Sequence, residues 1–314
     1  MFMINKNKFL RLMAVLACVL CFAVPGEAAT PKWSDVPYAT VSAKQKLDIY
    51  LPEKGVAPYP VIIAFHGRNG DKKGAEMEAP LTALERGYVV ICVNYREVPE
   101  ARFPNDVMDA KAAVRFVRAN SDKYNLDDTR FVAWGDSMGG RLAAFLGTTT
   151  AHPEFDDFTL GHVGESSRVN AVVAWFPALD DVNMDADFAK LNMMSQVPRN
   201  KDAYGRETYG APVQQIRDLV AFSNPMRYVD ASAVPFIIEH GTADGVCPIT
   251  QSEKFAELLR HNIGDGRVKF VTVEGAGHHV KDFMGKENME QVFKFLHKQL
   301  QLKKKAKQDK TYRK

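Results

Sequence analysis

Apolar runs of strand length alternate along the chain with longer segments whose apolar residues recur at helical spacing. Strand-like runs lie at 60–65, 89–93, 130–134, a stretch ending at 176, 235–241 and 268–273, and helical patterns at about 72–86, 105–120, 137–148, 250–262 and 286–301. This alternation is typical of βαβ units. We therefore predict an α/β fold with a mostly parallel central sheet flanked by helices.

The start of the chain has the composition of an export signal. A basic segment precedes an apolar run at 12–24 that is too short to span a membrane, and small residues surround a cleavage site near Ala28. We expect residues 1–28 to direct export to the periplasm or the extracellular space, with no stable membrane insertion after cleavage. A lipoprotein signal is the alternative, since residues 15–18 loosely resemble a lipobox.

The end of the chain is strongly basic. Residues 303–314 contain seven basic residues and one acid, which predicts a disordered, solvated tail. The formal charge of the 314-residue chain is +3, whereas the part between the two ends carries about −5. We expect the folded domain to occupy 29–302. Adhesion of the tail to an anionic polysaccharide or membrane is an alternative, and no nucleic-acid-binding module is visible, so no nucleic-acid partner is expected.

Signal cleavage would leave two cysteines, Cys92 and Cys247. Cys92 lies within an apolar strand-like run, where a buried free thiol is typical. We expect two free thiols, with a single disulfide as the alternative. No Cys-x-x-Cys or paired-histidine spacing indicates a metal site, and no cofactor is expected.

Residues 135–141 (Gly-Asp-Ser-Met-Gly-Gly-Arg) lie between a strand-like run and a helical segment. A chain that turns sharply from strand to helix brings the positions two before and two after Ser137 together, and both are glycines because a Cβ would collide there. The segment resembles the nucleophile elbow of the α/β-hydrolases. The resemblance implies that Ser137 is a nucleophile at the carboxyl edge of the sheet.

In that family an acid and then a histidine follow the serine, each after a later strand. Asp244 follows the fifth strand-like run, and His278 lies in the glycine-rich loop after the sixth. The resemblance implies that His278 is the general base and that Asp244 orients its ring. Asp180 or Asp181 is the alternative acid, and His279 is the alternative base.

An oxyanion hole is expected after the first strand-like run. Residues 66–70 (His-Gly-Arg-Asn-Gly) take the position of the His-Gly-Gly-Gly loop of esterases. The backbone N–H groups of Arg68 and Asn69, together with that of Met138, are predicted to face the developing alkoxide. The Arg68 side chain is expected either to hold the loop or to contact an aromatic or acidic substrate.

Further motifs narrow the resemblance, which covers about residues 33–300. Residues 94–104 are similar to a signature of hormone-sensitive-lipase-like hydrolases, and residues 46–52 to secreted bacterial carbohydrate esterases of the feruloyl and acetylxylan type. The resemblance implies a secreted serine esterase for small-molecule or polysaccharide esters, with acetyl or feruloyl groups on plant polysaccharides as expected substrates. An exopeptidase or arylformamidase, or a catalytically silent binding protein, is the alternative. The oligomeric state is not predicted.

Residues 180–230 show no clear periodicity and are predicted to form a small lid before the penultimate strand, with an ordinary surface excursion as the alternative.

Three further expectations concern single residues or short segments. Phe155 and Phe158 would line the pocket mouth, Arg96 would pair with Glu100, and residues 250–253 would form a capping box.

Overall fold

The computed structural model describes residues 29–301. Eight strands form one sheet in the order β1-β2-β4-β3-β5-β6-β7-β8. They are β1 Trp33–Pro37, β2 Lys46–Tyr50, β3 Tyr59–Phe65, β4 Val89–Val93, β5 Leu126–Asp136, β6 Ala171–Trp175, β7 Phe236–Gly241 and β8 Val268–Val273. β2 pairs antiparallel with β1 and β4, and the other pairs are parallel. The predicted mostly parallel α/β fold is confirmed.

Helices connect the strands, and all five predicted helical segments are present. The α-helices are α1 Glu78–Leu81, α2 Asn105–Ala119, α3 Ser121–Tyr124, α4 Ser137–Thr148, α5 Met184–Lys190, α6 Asp202–Tyr209, α7 Arg217–Phe222, α8 Ile249–Ile263 and α9 Lys286–Gln299. Short 3₁₀ turns lie at Ala75–Met77, Thr82–Arg86, Pro153–Phe155, Phe158–Leu160, Val213–Gln215, Pro225–Tyr228, Asp265–Arg267 and Val280–Phe283.

The central strands are covered on both faces. Every residue of β4, β6 and β7 is buried. Because successive side chains of a strand point to opposite faces, β3 contributes Val61 and Ile63 to one hydrophobic cluster and Ile62 and Ala64 to the other. Burial on two faces explains why these strands appear in the sequence as continuous apolar runs.

The parallel strands bring five distant segments of the chain to one edge of the sheet. β3, β5, β6, β7 and β8 are consecutive neighbours and run in the same direction. The segments that follow their carboxyl ends therefore meet along one line. The candidate site is built from these segments.

The predicted capping box at 250–253 is wrong. α8 begins at Ile249, its N-cap is Pro248, and no side chain caps its first turn. The Thr250 hydroxyl is buried without a hydrogen-bond partner among the described residues, and the Ser252 hydroxyl contacts His240. Thr250 and Ser252 therefore already lie inside the helix, where their side chains are not placed at the N-cap position that a capping box requires.

Residues 180–230 form the predicted insertion between β6 and β7. The insertion contains α5, α6, α7 and two 3₁₀ turns. The predicted position of Phe155 and Phe158 at the pocket mouth is wrong. Phe155 packs on Phe145 and Tyr228 within the main hydrophobic cluster, and Phe158 lies on the surface beneath Arg115.

Two sequence predictions fall on parts of the chain that the structure does not describe. The expected signal peptide at 1–28 and the basic tail at 303–314 lie outside the described residues. Between residues 29 and 301, no helix is both long and apolar enough to cross a membrane.

Candidate active site

Ser137 lies at the junction of β5 and α4, on a turn as sharp as the sequence predicted. β5 ends at Asp136, α4 begins at Ser137, and the serine has a φ of 53°, in the left-handed region that non-glycine residues rarely adopt. A Cβ at Gly139 would overlap the carbonyl oxygen of Phe65 on the neighbouring strand. The glycine is therefore required by the close approach of helix and sheet.

The three predicted triad residues meet at this turn. His278 Nε2 lies 2.9 Å from Ser137 Oγ, and His278 Nδ1 lies 2.7 Å from Asp244 Oδ2. His278 is in the loop after β8, and Asp244 is in the loop after β7. Ionised Asp244 can only accept a hydrogen bond, so Nδ1 carries a proton and Nε2 of the neutral ring is free to accept one from the serine.

Asp244 is held by donors on both of its oxygens. Oδ1 accepts hydrogen bonds from the backbone N–H groups of Val246 and Cys247, at 2.8 and 2.9 Å. Oδ2 faces His278 and also lies 3.3 Å from His240 Nε2. Burial raises the pKa of Asp244, but the hydrogen bonds from His240 and His278 outweigh it and hold this pKa well below its usual value. Asp244 is therefore ionised at any working pH.

His240 has a defined tautomer because of its two neighbours. Its Nε2 lies 2.9 Å from the carbonyl oxygen of Cys247, which can only accept, so Nε2 carries the proton. Its Nδ1 then accepts a hydrogen bond from the Ser252 hydroxyl at 2.7 Å. His240 thus ties the loop that carries Asp244 to α8.

The alternative acids and base lie in other environments. Asp180 caps its own turn by accepting hydrogen bonds from the backbone of Val182 and Asn183. Asp181 is buried in an ion-pair network behind the cavity. His279 lines the cavity, but the ring in contact with Ser137 is that of His278.

The predicted oxyanion hole needs one correction. Arg68 and Met138 line the cavity beside Ser137, and Met138 lies in the first turn of α4, where backbone N–H groups have no helical partner. The N–H of Asn69, however, donates a hydrogen bond to Glu97 Oε1 at 3.1 Å. Its inclusion in the hole is wrong in this structure, because the Glu97 carboxylate from the loop after β4 occupies that donor.

The Arg68 side chain reaches the insertion. Its guanidinium donates to the Thr208 hydroxyl, lies 3.9 Å from Glu207 and packs over the ring of Tyr204 at 5.1 Å from the ring centroid. These three residues belong to α6. Arg68 therefore links the oxyanion loop to the segment that was predicted to be a lid.

A cavity of about 510 Å³ opens over Ser137. One part of its wall is apolar and is formed by Met138, Ala178, Val246 and Cys247, which belong to a small hydrophobic cluster. The insertion adds Val197, Arg199 and Tyr204 to the lining. Four further lining residues, Glu76, Asp136, His279 and Lys281, have polar side chains and are called the polar wall below, and Ala75, Phe176 and Val280 complete the lining.

A buried ion-pair network behind the cavity was not predicted. Arg141 of α4 and Arg199 of the insertion both contact Asp181, at 3.4 and 2.8 Å, and the hydroxyl groups of Tyr204 and Tyr209 donate to the same carboxylate. Burial raises the pKa of Asp181, but the two arginines outweigh it and lower this pKa to about 2. No local sequence pattern marks this network, because all of its members except Arg141 come from the insertion, which shows no clear periodicity.

Arg96 has a different partner from the predicted one. Its guanidinium makes a bidentate contact with buried Asp109 of α2, with the shortest distance at 2.7 Å, rather than with Glu100. The backbone N–H of Arg96 also donates to Asp109, as does the side chain of Gln45. Asp109 therefore holds the loop after β4 in place through hydrogen bonds with Arg96.

Cys92 and Cys247 are both free and buried, as predicted. Cys92 lies within β4, and burial raises its pKa well above the usual value. Among the described residues, no three His, Cys, Asp or Glu side chains lie close enough together to hold a metal ion.

Comparisons with known proteins find similarity to esterases. The chain is 28% identical over 243 residues to esterase LipC of Mycobacterium tuberculosis, an alignment that covers 74% of this chain and 56% of LipC. The chain thus spans about half the length of the curated relatives it matches.

Two solved structures are similar along most of the chain. A truncated form of a carbohydrate esterase from gut microbiota superposes with a TM-score of 0.75 at 28% identity, covering 88% of this chain and 98% of that one. A bifunctional GH43-CE protein of Bacteroides eggerthii gives 0.73 at 29% identity, covering 85% and 38%. The BD-FAE family model matches residues 47–259, more than half of the sequence. The chain therefore has the α/β-hydrolase fold and belongs to the BD-FAE family.

Proposed function

We propose that this protein is a serine hydrolase of carboxylic esters. The observation that carries the proposal is the chain of contacts from Ser137 Oγ through the His278 ring to Asp244, at 2.9 and 2.7 Å. A serine hydroxyl attacks a carbonyl only when a base removes its proton, and this arrangement supplies an oriented base. Similarity to LipC and to carbohydrate esterases supports the same chemistry.

The reaction proceeds in two halves. His278 Nε2 takes the hydroxyl proton as Ser137 Oγ forms a bond to the ester carbonyl carbon, and the carbonyl π electrons move to its oxygen. The N–H groups of Arg68 and Met138 stabilise this oxyanion. When the intermediate collapses, the bond to the alcohol oxygen breaks and His278 returns the proton to that oxygen. An acyl-enzyme and a free alcohol result.

Water completes the cycle by the same steps. His278 removes a proton from water as the oxygen attacks the acyl-enzyme, and the second tetrahedral intermediate collapses with cleavage of the bond to Ser137 Oγ. His278 returns the proton to the serine, and the carboxylic acid leaves. Asp244 stays ionised throughout and stabilises the imidazolium that forms twice per turnover.

Acyl groups on plant polysaccharides, acetyl or feruloyl, are the proposed natural substrates. Two solved structures of carbohydrate esterases support this substrate class. The cavity of about 510 Å³, with one apolar and one polar wall, is large enough for a small acyl group and part of a sugar. Polymeric substrates of this kind lie outside the cell, and the composition of residues 1–28 supports export.

A panel of esters tests the proposal. The purified protein is assayed with 4-nitrophenyl esters from acetate to octanoate, with methyl ferulate and with acetylated xylan, and is treated with a fluorophosphonate probe. We expect hydrolysis of the short nitrophenyl esters and labelling that disappears in Ser137→Ala. A folded protein that neither hydrolyses any of these esters nor reacts with the probe would be a hydrolase-like binding protein instead.

A further inference from the structure

Two carboxylates on the polar wall of the cavity have no role in the triad. Asp136 immediately precedes Ser137, and Glu76 lies in the 3₁₀ turn Ala75–Met77 after β3. Both line the cavity, Glu76 is half-buried and Asp136 is 9% exposed. Among the described residues, no side chain and no backbone N–H of another residue donates a hydrogen bond to either carboxylate, and neither has a cationic partner within 4 Å. A hydrogen bond from the backbone of Asp136 to its own carboxyl lowers the pKa of this group only in part.

The backbone is shaped to receive these carboxylates. A Cβ built at Gly67 would come within 2.9 Å of Asp136 Oδ2, and a Cβ at Gly70 would overlap Glu76 Oε1. Both glycines belong to the loop after β3 that carries Arg68. The two acids therefore pack against the loop that carries the oxyanion donor, with their oxygens open to the cavity.

A carboxylate buried without a donor is costly, since desolvation is not repaid by hydrogen bonds. Burial and the charge of Glu76 together raise the pKa of Asp136 to about 7. Near pH 7 the Asp136 carboxyl is therefore protonated in about half of the molecules. In its protonated form Asp136 offers an O–H donor, and carboxylate oxygens offer acceptors, to whatever enters the cavity.

We propose that Glu76 and Asp136 form a subsite that binds hydroxyl groups of a carbohydrate alcohol. This inference rests on the proposed esterase function and names the part of the cavity that recognises the sugar. Hydroxyl groups donate to carboxylate oxygens and accept from a protonated carboxyl, so they satisfy both members of the pair. The buried acids then gain the partners that they lack in the free protein.

The chemistry of the lining assigns the subsite to the alcohol. Met138, Val246 and Cys247 belong to one hydrophobic cluster, which suits an acyl group, whereas Glu76 and Asp136 offer hydrogen-bond partners to an alcohol that carries hydroxyl groups. His278 must also protonate the departing alcohol oxygen, and its neighbours His279 and Lys281 line the cavity together with the two acids. A sugar on this side has donors and acceptors around it.

The same lining argues against a cationic alcohol. Lys281 borders the cavity and would repel a positive charge bound there. It is compatible with hydroxyl groups, which accept hydrogen bonds from an ammonium group. A neutral polyhydroxyl group therefore fits all the charged groups of this wall.

The test compares substrates that differ in the alcohol. For the full chain and for Glu76→Gln, Asp136→Asn and the control Glu78→Gln, kcat and KM are measured with 4-nitrophenyl acetate and with acetylated xylo-oligosaccharides. Glu78 is exposed and lies two residues from Glu76. We expect the ratio of kcat/KM for the sugar ester to that for the nitrophenyl ester to fall at least tenfold in the first two variants, mainly through KM, and to stay constant in the control.

Several outcomes would overturn the inference. If Glu76→Gln leaves the ratio unchanged, Glu76 does not take part in sugar recognition. Because Glu76 is only half-buried, this variant still tests the subsite if Asp136→Asn does not fold. A wild-type protein that hydrolyses 4-nitrophenyl acetate but none of the sugar esters refutes the subsite and leaves the esterase function intact. No hydrolysis of either ester refutes the proposed function itself. A preference for acetylcholine over butyl acetate that Glu76→Gln abolishes would identify a cation site instead.

Discussion

The ring of Tyr204 lies between two arginines, with the guanidinium of Arg68 5.1 Å from its centroid. The guanidinium of Arg199 lies 4.2 Å from the same centroid. Arg68 belongs to the loop after β3, whereas Tyr204 and Arg199 belong to the insertion. The tyrosine hydroxyl donates to buried Asp181, so the contact continues into the ion-pair network behind the cavity. The ring of Tyr204 therefore adds to the contacts of Arg68 with Thr208 and Glu207 that link the loop after β3 to the insertion.

Loss of this contact should affect substrate binding more than the chemical step. In Arg68→Ala the backbone N–H that we propose stabilises the oxyanion is retained, whereas the contacts with Thr208 and Tyr204 are lost. We expect kcat for 4-nitrophenyl acetate to stay within about tenfold of wild type, and KM for larger aromatic esters to rise. Arg206→Ala is the matched control, because Arg206 also belongs to this region but is exposed on α6 and pairs only with Asp202. A loss of kcat beyond a thousandfold would place the guanidinium in the reaction itself.

Substitutions of His278 and of His279 should have very different effects on kcat. His278→Ala removes the base that contacts Ser137, and we expect kcat to fall by about 10⁴- to 10⁶-fold with little change in Tm. His279→Ala removes only a cavity-lining ring, and we expect a change below about tenfold. Steady-state kinetics with 4-nitrophenyl acetate and thermal unfolding measure both effects. The opposite ranking of the two variants would show that the base assignment is wrong.

His240 is expected to act as a positioning residue. In His240→Ala, Asp244 loses one donor and the Cys247 carbonyl is left buried without its partner. We expect kcat to fall about tenfold to hundredfold and the free energy of unfolding to fall by about 1–3 kcal/mol. His261→Ala, at an exposed site on α8, is the control and should change neither. A variant with reduced stability and an unchanged kcat would limit His240 to a structural role.

Glu239 should make the protein less stable as the pH rises. The residue is fully buried on β7, one oxygen accepts from Asn288 at 2.6 Å, and burial raises its pKa from 4.5 to about 8. Between these values the folded state keeps a proton that the unfolded state releases, so the contribution of this group to stability is lost as pH rises through the interval.

Glu239→Gln does not titrate and should reveal this loss. The free energy of unfolding of the variant, relative to that of wild type, should increase from pH 5 to pH 8 and should stay constant above pH 8. Urea unfolding at pH 5.5, 7 and 9 measures it, with exposed Glu287→Gln as the control. A difference that does not vary with pH would mean that Glu239 is ionised in the folded protein.

The sequence alone predicts the features that depend on the order of local elements and on strand direction. Strands and helices follow from apolar periodicity, and parallel strands then bring Ser137, Asp244 and His278 to one edge whatever the lengths of the intervening segments. The partner of Asn69 was not predictable in this way. Its N–H is taken by Glu97 because the loops after β3 and β4 touch, and that contact depends on side-chain packing between segments with no shared pattern.

The same reason explains the other errors. Arg96 selects Asp109 rather than nearby Glu100 because α2 packs against the loop after β4, and sequence proximity carries no information about that packing. The network around Asp181 draws on α4 and on the insertion, where no period constrains the fold. Contacts between irregular segments are therefore the features of this structure that no local sequence pattern predicts.

The backbone conformation of Ser137 affects the thermal stability of inactive variants at this position. At a φ of 53° any side chain with a Cβ is disfavoured, whereas glycine is not. Ser137→Ala discards the hydroxyl and keeps the unfavourable geometry, whereas Ser137→Gly discards both. The glycine variant should therefore melt at a higher temperature than the alanine variant, although the two are equally inactive. The backbone conformation of Ser137 is unfavourable for a serine, and the rest of the fold stabilises it. Selection for thermal resistance alone would therefore tend to remove this serine.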